Sequence, residues 1–281
     1  RKDGALRWVN VSGVKIDWDG KPATLNFLTD ITERKNAEAV IQKQNRELTD
    51  ANITKDKFFS LIAHDLRAPF HGFLGLTDLM IQDIYELSRE EMITYLQTIQ
   101  KSANTVYTLL DNLLQWAKMQ RGLIEFNPVN TDLALLIEDV SSIYQGSTAQ
   151  KDISMIYNLQ RPLFAYADSS MLSTVLRNLI SNAIKFTFEG GEITITAGSE
   201  NHSVFVSVKD SGKGMPPDVV ERLFRLDKKI TTPGTAGETG SGLGLHLTKD
   251  FIEMHSGQIT VESKPGEGST FTFMIPVINI P

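Results

Sequence analysis

From the N-terminus to about residue 30, apolar and polar positions alternate. Trp8, Asn10 and Gly13 interleave with Val9, Val11 and Val14, and a second run extends from Ala23 to Leu28. Asp19-Gly20 between the runs is a strong signal for a two-residue turn, so the pattern predicts a β-hairpin. Two strands are marginally stable alone, which predicts that this piece leans on something else.

From about Thr32 the period changes. Ala37, Ile41, Gln44, Leu48, Ala51, Lys55, Phe58 and Ile62 recur at alternating steps of four and three. That is a coiled-coil seam, with polar positions at Gln44 and Lys55 that can fix register or partner number. Pro69 is expected to kink the helix or break it locally. Apolar spacing resumes at Phe70, Phe73, Thr77, Met80, Ile84 and Leu87. Ser88 with Glu91 forms a capping box, so a second helix starts there. Its stripe, Met92, Leu96, Ile99, Ala103, Val106, Leu110, Leu113 and Ala117, repeats the four-three pattern. Two long helices joined by a short loop predict an antiparallel hairpin. One hairpin cannot cover both seams, so a homodimeric four-helix bundle is the economical arrangement.

Gly122 to Asn130 reads as a linker. Beyond it, helical and strand signals mix without repeats. Helices are predicted over Asp132–Tyr144 and Asp168–Phe186, the latter capped by Asp168, with a short one from Pro216-Pro217 to near Phe224. Another spans 242–256 and ends at Gly257, read as the C′ residue. Strands are predicted at Ile153–Leu159, Leu163–Tyr166, Glu192–Ala197, Ser203–Lys209, Gln258–Ser263 and Thr270–Ile275. A stretch rich in Gly, Thr and Pro separates two helices at Lys228–Ser241. The expected fold is α+β: a dimeric helical hairpin followed by an α/β sandwich, one mixed sheet with helices on one face.

Composition narrows the function classes. The chain has 281 residues, 41% hydrophobic and 22% charged, the balance of an ordinary globular protein of about two domains. A net charge of −6 gives no basic footprint for nucleic acid. The absence of cysteine excludes disulfides, thiolate metal sites and a cysteine nucleophile. No run approaches the length of a membrane span. The chain opens at Arg1 in strand-like sequence, and is expected to be the soluble, cytoplasmic piece of something longer.

Four constellations carry candidate chemistry. In Phe59–Pro69 (FSLIAHDLRAP), placing Ile62 at heptad position a puts Asp65 at d and His64 at c, away from the narrow dimer seam. An adjacent Asp can hold one imidazole nitrogen and leave the other free as a nucleophile; the bland alternative is a surface histidine. Asn178, Asn182 and Lys185 share one helix face, and Asn is a poor helix former. Amide oxygens suit a hard cation such as Mg²⁺ and the lysine suits phosphate, whereas the alternative is a solvated polar face. Asp210-Ser211-Gly212-Lys213-Gly214 follows a strand. It is either a tight turn or a carboxylate placed to accept from the exocyclic amine of adenine, with glycines allowing close approach. Gly240-Ser241-Gly242-Leu243-Gly244-Leu245 opens a helix, where backbone amides favour phosphate. A loop rather than a strand precedes it, which argues against a dinucleotide fold.

Taken in this order, the four segments make the chain resemble a two-component sensor histidine kinase over roughly residues 34–278. His64–Pro69 resembles the phosphoacceptor box and Asn178–Thr187 (NLISNAIKFT) the N box. Asp210–Met215 (DSGKGM) and Gly240–Leu245 (GSGLGL) resemble the two glycine boxes. Residues 1–33 look like the last strands of a PAS sensor domain. The resemblance implies three parts: the PAS-like fragment 1–33, a coiled-coil linker with a dimerisation and histidine phosphotransfer domain at 34–121, and a catalytic ATP-binding domain at 122–281.

It further implies ATP and Mg²⁺ as cofactors and a response-regulator receiver domain as partner. His64 would be the phosphorylated nucleophile and Asp65 the residue that orients and deprotonates it. Asn182 would coordinate Mg²⁺ with Asn178 close by, and Lys185 would contact the phosphates. Asp210 would bind the adenine amine, supported by Gly212 and Gly214. Gly240, Gly242 and Gly244 would let the lid and its helix approach the phosphates. The pattern departs after Leu223-Phe224: Asp227 stands where the family's F box carries a second aromatic, and Lys228 or Lys229 is the candidate for the basic residue expected nearby. Ala68 stands where many members carry Thr or Asn, which implies weak phosphatase activity towards a phosphorylated receiver. A related ATPase or a non-catalytic nucleotide-binding scaffold would share the nucleotide boxes, but the His64 box on a dimerising hairpin favours the kinase.

Overall fold

The computed structural model describes residues 6–224, 232–236, 238 and 243–277, without the side chains at 47, 50, 51, 54–59, 61, 62, 64, 65, 68, 120 and 243. The chain divides into two compact units, Arg1–Phe59 and Ser60–Pro281.

In the first unit, β1 (Val9–Trp18) and β2 (Lys21–Asp30) pair antiparallel across Asp19-Gly20. Both turn residues have positive φ, 57° and 76°, as a primed two-residue turn requires. Asp17 Oδ1 accepts the Gly20 N–H at 2.8 Å. Val14 pairs with Leu25 and Ile16 with Ala23, so the two strands share an apolar face that also carries Trp18 and Phe27, and these two are exposed. At the open end, Asp30 Oδ1 accepts the Thr32 N–H at 3.0 Å, and Thr32 Oγ1 accepts the Trp8 N–H at 2.9 Å. Thr32, through its hydroxyl and its amide, and then Arg7 hold the Asp30 carboxyl well below the usual carboxylate range. The hairpin is thereby tied to the first turn of α1 (Thr32–Gln82).

Helix α1 runs through Pro69 without interruption, so the local break is not taken. A proline removes one bond of the ladder, and the apolar spacing on either side continues the helix. Asp83–Ser88 connects to α2 (Arg89–Gln120). The capping box is present: Ser88 Oγ accepts from Glu91 N, and Glu91 Oε2 accepts from Ser88 N. α2 closes in a Schellman motif. Gly122 (φ 63°) donates to Met119 O and Leu123 donates to Lys118 O, both at 2.9 Å.

The remaining elements follow as β3 (Val129–Asp132), α3 (Leu133–Ser142), α4 (Gln145–Gln150), β4 (Ser154–Leu159), β5 (Phe164–Ala167), α5 (Ser169–Phe186), β6 (Glu192–Glu200), β7 (Ser203–Asp210), α6 (Pro217–Val220), α7 (Leu243–Met254), β8 (Gln258–Lys264) and β9 (Gly268–Pro276). A five-stranded sheet has the order β4-β6-β7-β9-β8, with β4 parallel to β6 and the other pairs antiparallel. Ile137 of α3, Leu172, Leu176 and Ile180 of α5, and Leu247 and Ile252 of α7 form one buried core with Ile193, Ile195, Val206 and Phe273 of the sheet. This is the mixed sheet with a helical layer that the pattern predicts.

Two short elements are absent from the sequence reading. β3 lies partly inside the expected linker and exists by pairing with β5. α4, with the sequence QGSTAQ, has no apolar stripe to announce it. The end of α7 also differs from expectation. Ser256, not Gly257, takes the left-handed position (φ 56°), and Gly257 is the next residue, donating to Ile252 O. Glycine is required at 257 because a Cβ there would lie 2.3 Å from Met274 O.

Candidate functional site

Helix α5 is positioned by its ends and its apolar face. Asp168 Oδ1 caps it, accepting from Ser170 N and Met171 N. Val175, Leu176, Leu179, Ile180 and Ala183 are buried. Asn178, Asn182 and Lys185 therefore fall at the edge of that face, each half-buried. Asn178 Nδ2 donates to Gly244 O at 3.1 Å and to Thr248 Oγ1 at 3.4 Å, which fastens α5 to the start of α7. A Cβ at Gly244 would stand 2.8 Å from Asn178 Oδ1. The Asn182 side chain makes no hydrogen bond among the described residues, so its amide oxygen is available to a ligand. The Lys185 ammonium sits 4.6 Å from the Phe186 ring centroid. Burial lowers its pKa, the Glu238 carboxylate opposes this and Lys213 adds to it.

Asp210 ends β7 and is 4% exposed. Its Oδ1 accepts from Gly212 N at 2.9 Å and Ser269 N at 3.2 Å, while Oδ2 makes no hydrogen bond among the described residues. Burial raises its pKa, with the two amides opposing. The following loop is pressed against the end of α5. A Cβ at Gly212 would lie 2.1 Å from Phe186 O, and Lys213 donates its N–H to that same oxygen at 3.1 Å. Gly214 has φ 62° and a Cβ there would lie 1.8 Å from Lys264 O. These two glycines accommodate protein backbone on both sides of the loop.

The structure thus joins Asn178 to Gly244 directly, and brings the Asp210–Gly212 part of the loop beside the end of α5 that carries Lys185, while Gly214 abuts Lys264 instead. Gly240 and Gly242 lie outside the described residues, as do Asp227, Lys228 and Lys229. His64, Asp65 and Ala68 lie on α1, and their side chains are outside the described residues.

Lys151 is a site-adjacent residue that the sequence does not reveal. Its ammonium donates to Ile184 O (2.9 Å), Lys185 O (3.3 Å) and Thr235 Oγ1 (2.9 Å), and pairs with Glu238 Oε1 at 2.7 Å. Thr235 in turn donates from N to Lys185 O and from Oγ1 to Thr187 O. The described part of the Gly-, Thr- and Pro-rich segment is therefore docked on the C-terminal end of α5. Lys151 belongs to no local pattern, and only the fold brings it there.

Residues 167–279 match the family model described as histidine kinase-, DNA gyrase B- and HSP90-like ATPase. Residues 54–122 match the His Kinase A (phospho-acceptor) domain. The chain belongs to the histidine kinases. It is 31% identical over 258 residues to the sensor histidine kinase TmoS of Ectopseudomonas mendocina, covering 88% of this chain and 26% of that protein. It is likewise 31% identical over 254 residues to the aerobic respiration control sensor protein ArcB of Escherichia coli K12, covering 89% and 31%. Full-length ShkA, solved in complex with AMPPNP, superimposes with a TM-score of 0.57 at 26% identity, covering 80% of this chain and 46% of that one. This histidine kinase chain spans about a third or less of the curated relatives it matches. Both matched domains lie in the order and at the positions of the four sequence boxes.

Proposed function

We propose that this chain transfers the γ-phosphoryl group of ATP to His64 and then passes it to an aspartate of a response-regulator receiver domain. In the first step an imidazole nitrogen of His64 attacks the γ-phosphorus, the bond to the bridging oxygen breaks, ADP leaves and Asp65 takes the imidazole proton. In the second, the receiver carboxylate attacks the phosphorus and the imidazole leaves. Such transfers need positioning and charge neutralisation more than covalent help from the protein.

Asp210 carries the nucleotide reading. It is buried, one oxygen is occupied by two backbone amides, and the other is left to accept from the adenine amine. Gly212 and Gly214 shape the loop beside it. Asn182, whose side-chain amide makes no hydrogen bond among the described residues, offers the oxygen donor a hard cation prefers and would hold Mg²⁺, with Asn178 close by. When bound, that ion offsets negative charge on the phosphates. Lys185 supplies a partly desolvated cation for the phosphates, and Gly240, Gly242 and Gly244 close approach at the start of α7. Ala68 has no donor or acceptor to orient a water, so receiver dephosphorylation is expected to be weak.

The parts we propose are a PAS-like C-terminal fragment at 1–33, a dimerising phosphotransfer region at 34–121 and an ATP-binding domain at 122–281. The homodimer is supported by α2, where Ile93, Leu96, Tyr107, Leu110 and Leu114 stand exposed in the single chain. Among the described residues no helix is long and apolar enough to cross a membrane. We place this portion of the protein in the cytoplasm, where ATP and a receiver partner are found. Calorimetry of ATP·Mg²⁺ binding to the chain tests the site: affinity should fall in Asn182→Ala and in Asp210→Ala, and unchanged affinity in both would overturn the assignment.

A further inference from the structure

Asp168 uses its two carboxylate oxygens for different purposes. Oδ1 caps α5 through Ser170 N (3.0 Å) and Met171 N (3.1 Å). Oδ2 accepts the Asn127 N–H at 3.1 Å, from the segment between α2 and β3. The Asp168 N–H donates to His255 Nε2 at 3.0 Å, and His255 Nδ1 stands 2.7 Å from Phe251 O. An Nε2 that accepts leaves the ring proton on Nδ1, where it is donated to Phe251; the imidazole is the neutral tautomer. The Phe126 ring meets that imidazole edge-on, with centroids 4.8 Å apart and planes at 88°. Asp168 and His255 are both buried.

One closed junction therefore ties together the start of α5, the end of α7 and the linker at Phe126–Asn127. α5 carries Asn178, Asn182 and Lys185, and α7 carries Gly244. On the other side of the linker, the Schellman closure fixes the chain as far as Leu123. Between Leu123 and Phe126 lie only Ile124, which packs against the domain core, and Glu125.

We propose that Asp168 and His255 form a linker clamp that makes Phe126–Asn127 part of the ATPase body. Any reorientation of that body on α2 then turns between Leu123 and Phe126 and carries α5 and α7 with it. Asp168 and His255 are positioning residues: they touch no substrate, and they act by limiting the poses in which the nucleotide can meet the phosphoacceptor. The effect on rate rests on the histidine kinase reading above; the clamp itself does not.

Asp168→Asn tests this in the full chain. An asparagine keeps one acceptor oxygen for the α5 cap, but turns an NH₂ towards the Asn127 N–H, so cap and clamp are separated. Backbone amide exchange across 122–128 should accelerate by about tenfold or more, while exchange in α5 changes by less than about twofold. ATP affinity should be retained, and kcat for autophosphorylation should fall about fivefold or more with KM unchanged, because looser tethering populates fewer reactive poses. Phe126→Ala, on the linker side and 37% exposed, should give the same pattern without touching α5. Unchanged linker exchange in both variants would overturn the clamp. Faster linker exchange with unchanged kcat would overturn its positioning role. Loss of protection in α5 together with the linker would reduce Asp168 to a helix cap. A wild-type chain that binds ATP without autophosphorylating contradicts the kinase reading instead, and the exchange measurements still decide the clamp.

Discussion

The Lys151 ammonium stands 2.7 Å from the Glu238 carboxylate while donating to the Ile184 and Lys185 carbonyls at the end of α5. Their side chains are only 16% and 23% exposed. A cation is favoured at a helix C-terminus, and removing one member of a largely buried pair leaves the other uncompensated. Lys151→Met should therefore lower the unfolding free energy by about 2–3 kcal/mol in a denaturant titration. Burial alone would raise the Glu238 carboxyl, but the hydrogen bond from Lys151 and nearby amides outweigh it and hold the group down. The pair's contribution is thus present above the unfolded glutamate value, about 4.3, and lost as pH falls through the folded one. In Lys151→Met that acid-side loss should shrink.

His255 makes the stability of the ATPase domain sensitive to mild acid. Burial pushes its imidazole down, with the Phe251 carbonyl and Asp168 opposing. His246 is pushed the same way by burial, and by Lys249. The unfolded chain binds protons first, so stability is full above about pH 6.5 and declines as pH falls from there through the folded values. Thermal unfolding between pH 7.5 and 5.5 should show this decline. His255→Gln, which can still accept from Asp168 N, should flatten it; an unaltered slope would exclude His255 as its source.

Asp210→Asn separates stability from binding. The amide oxygen can still accept from Gly212 and Ser269, so the loop keeps its hydrogen bonds. The group at the Oδ2 position becomes a donor, facing the amine it would have to accept from. ATP affinity should fall by about tenfold or more. Burial raises the pKa of this carboxylate, so a neutral side chain should leave the melting temperature of the nucleotide-free chain equal or higher. A variant that loses stability and keeps its affinity would contradict the assignment.

Leu110 and Leu96 lie on the four-three stripe of α2 and are 43% and 52% exposed in the single chain. If a second copy covers them, Leu110→Glu places an unpaired charge in the dimer seam. Light scattering at micromolar protein should then give a dimer for the wild type and a monomer for the variant. A monomeric wild type with both helices folded would sink the dimer.

Most of the fold is legible in the sequence because most of its elements announce themselves locally. The Asp19-Gly20 turn, the Ser88–Glu91 box, the Asp168 cap and the alternation of β6 and β7 each need only a few neighbouring residues. β3 and α4 do not: a four-residue strand and a six-residue polar helix carry no period, and they form against partners distant in the chain. The candidate site divides in the same way. Asn178, Asn182, Lys185, Asp210 and the glycines lie in compact motifs. Lys151, Thr248 and the second role of Asp168 arise from contacts across 34, 70 and 41 positions, which no window of sequence displays. The glycines show a further limit, since the pattern points to a ligand while Gly212 and Gly214 are pressed against the Phe186 and Lys264 carbonyls.

The phosphoryl acceptor is the centre of the functional account, and γ-labelled ATP tests it most directly. Wild-type chain with Mg²⁺ should gain a label that is lost in acid and maps to His64, while His64→Gln should bind ATP and gain none. A label that persists in His64→Gln, or one that maps to His71, would contradict the account.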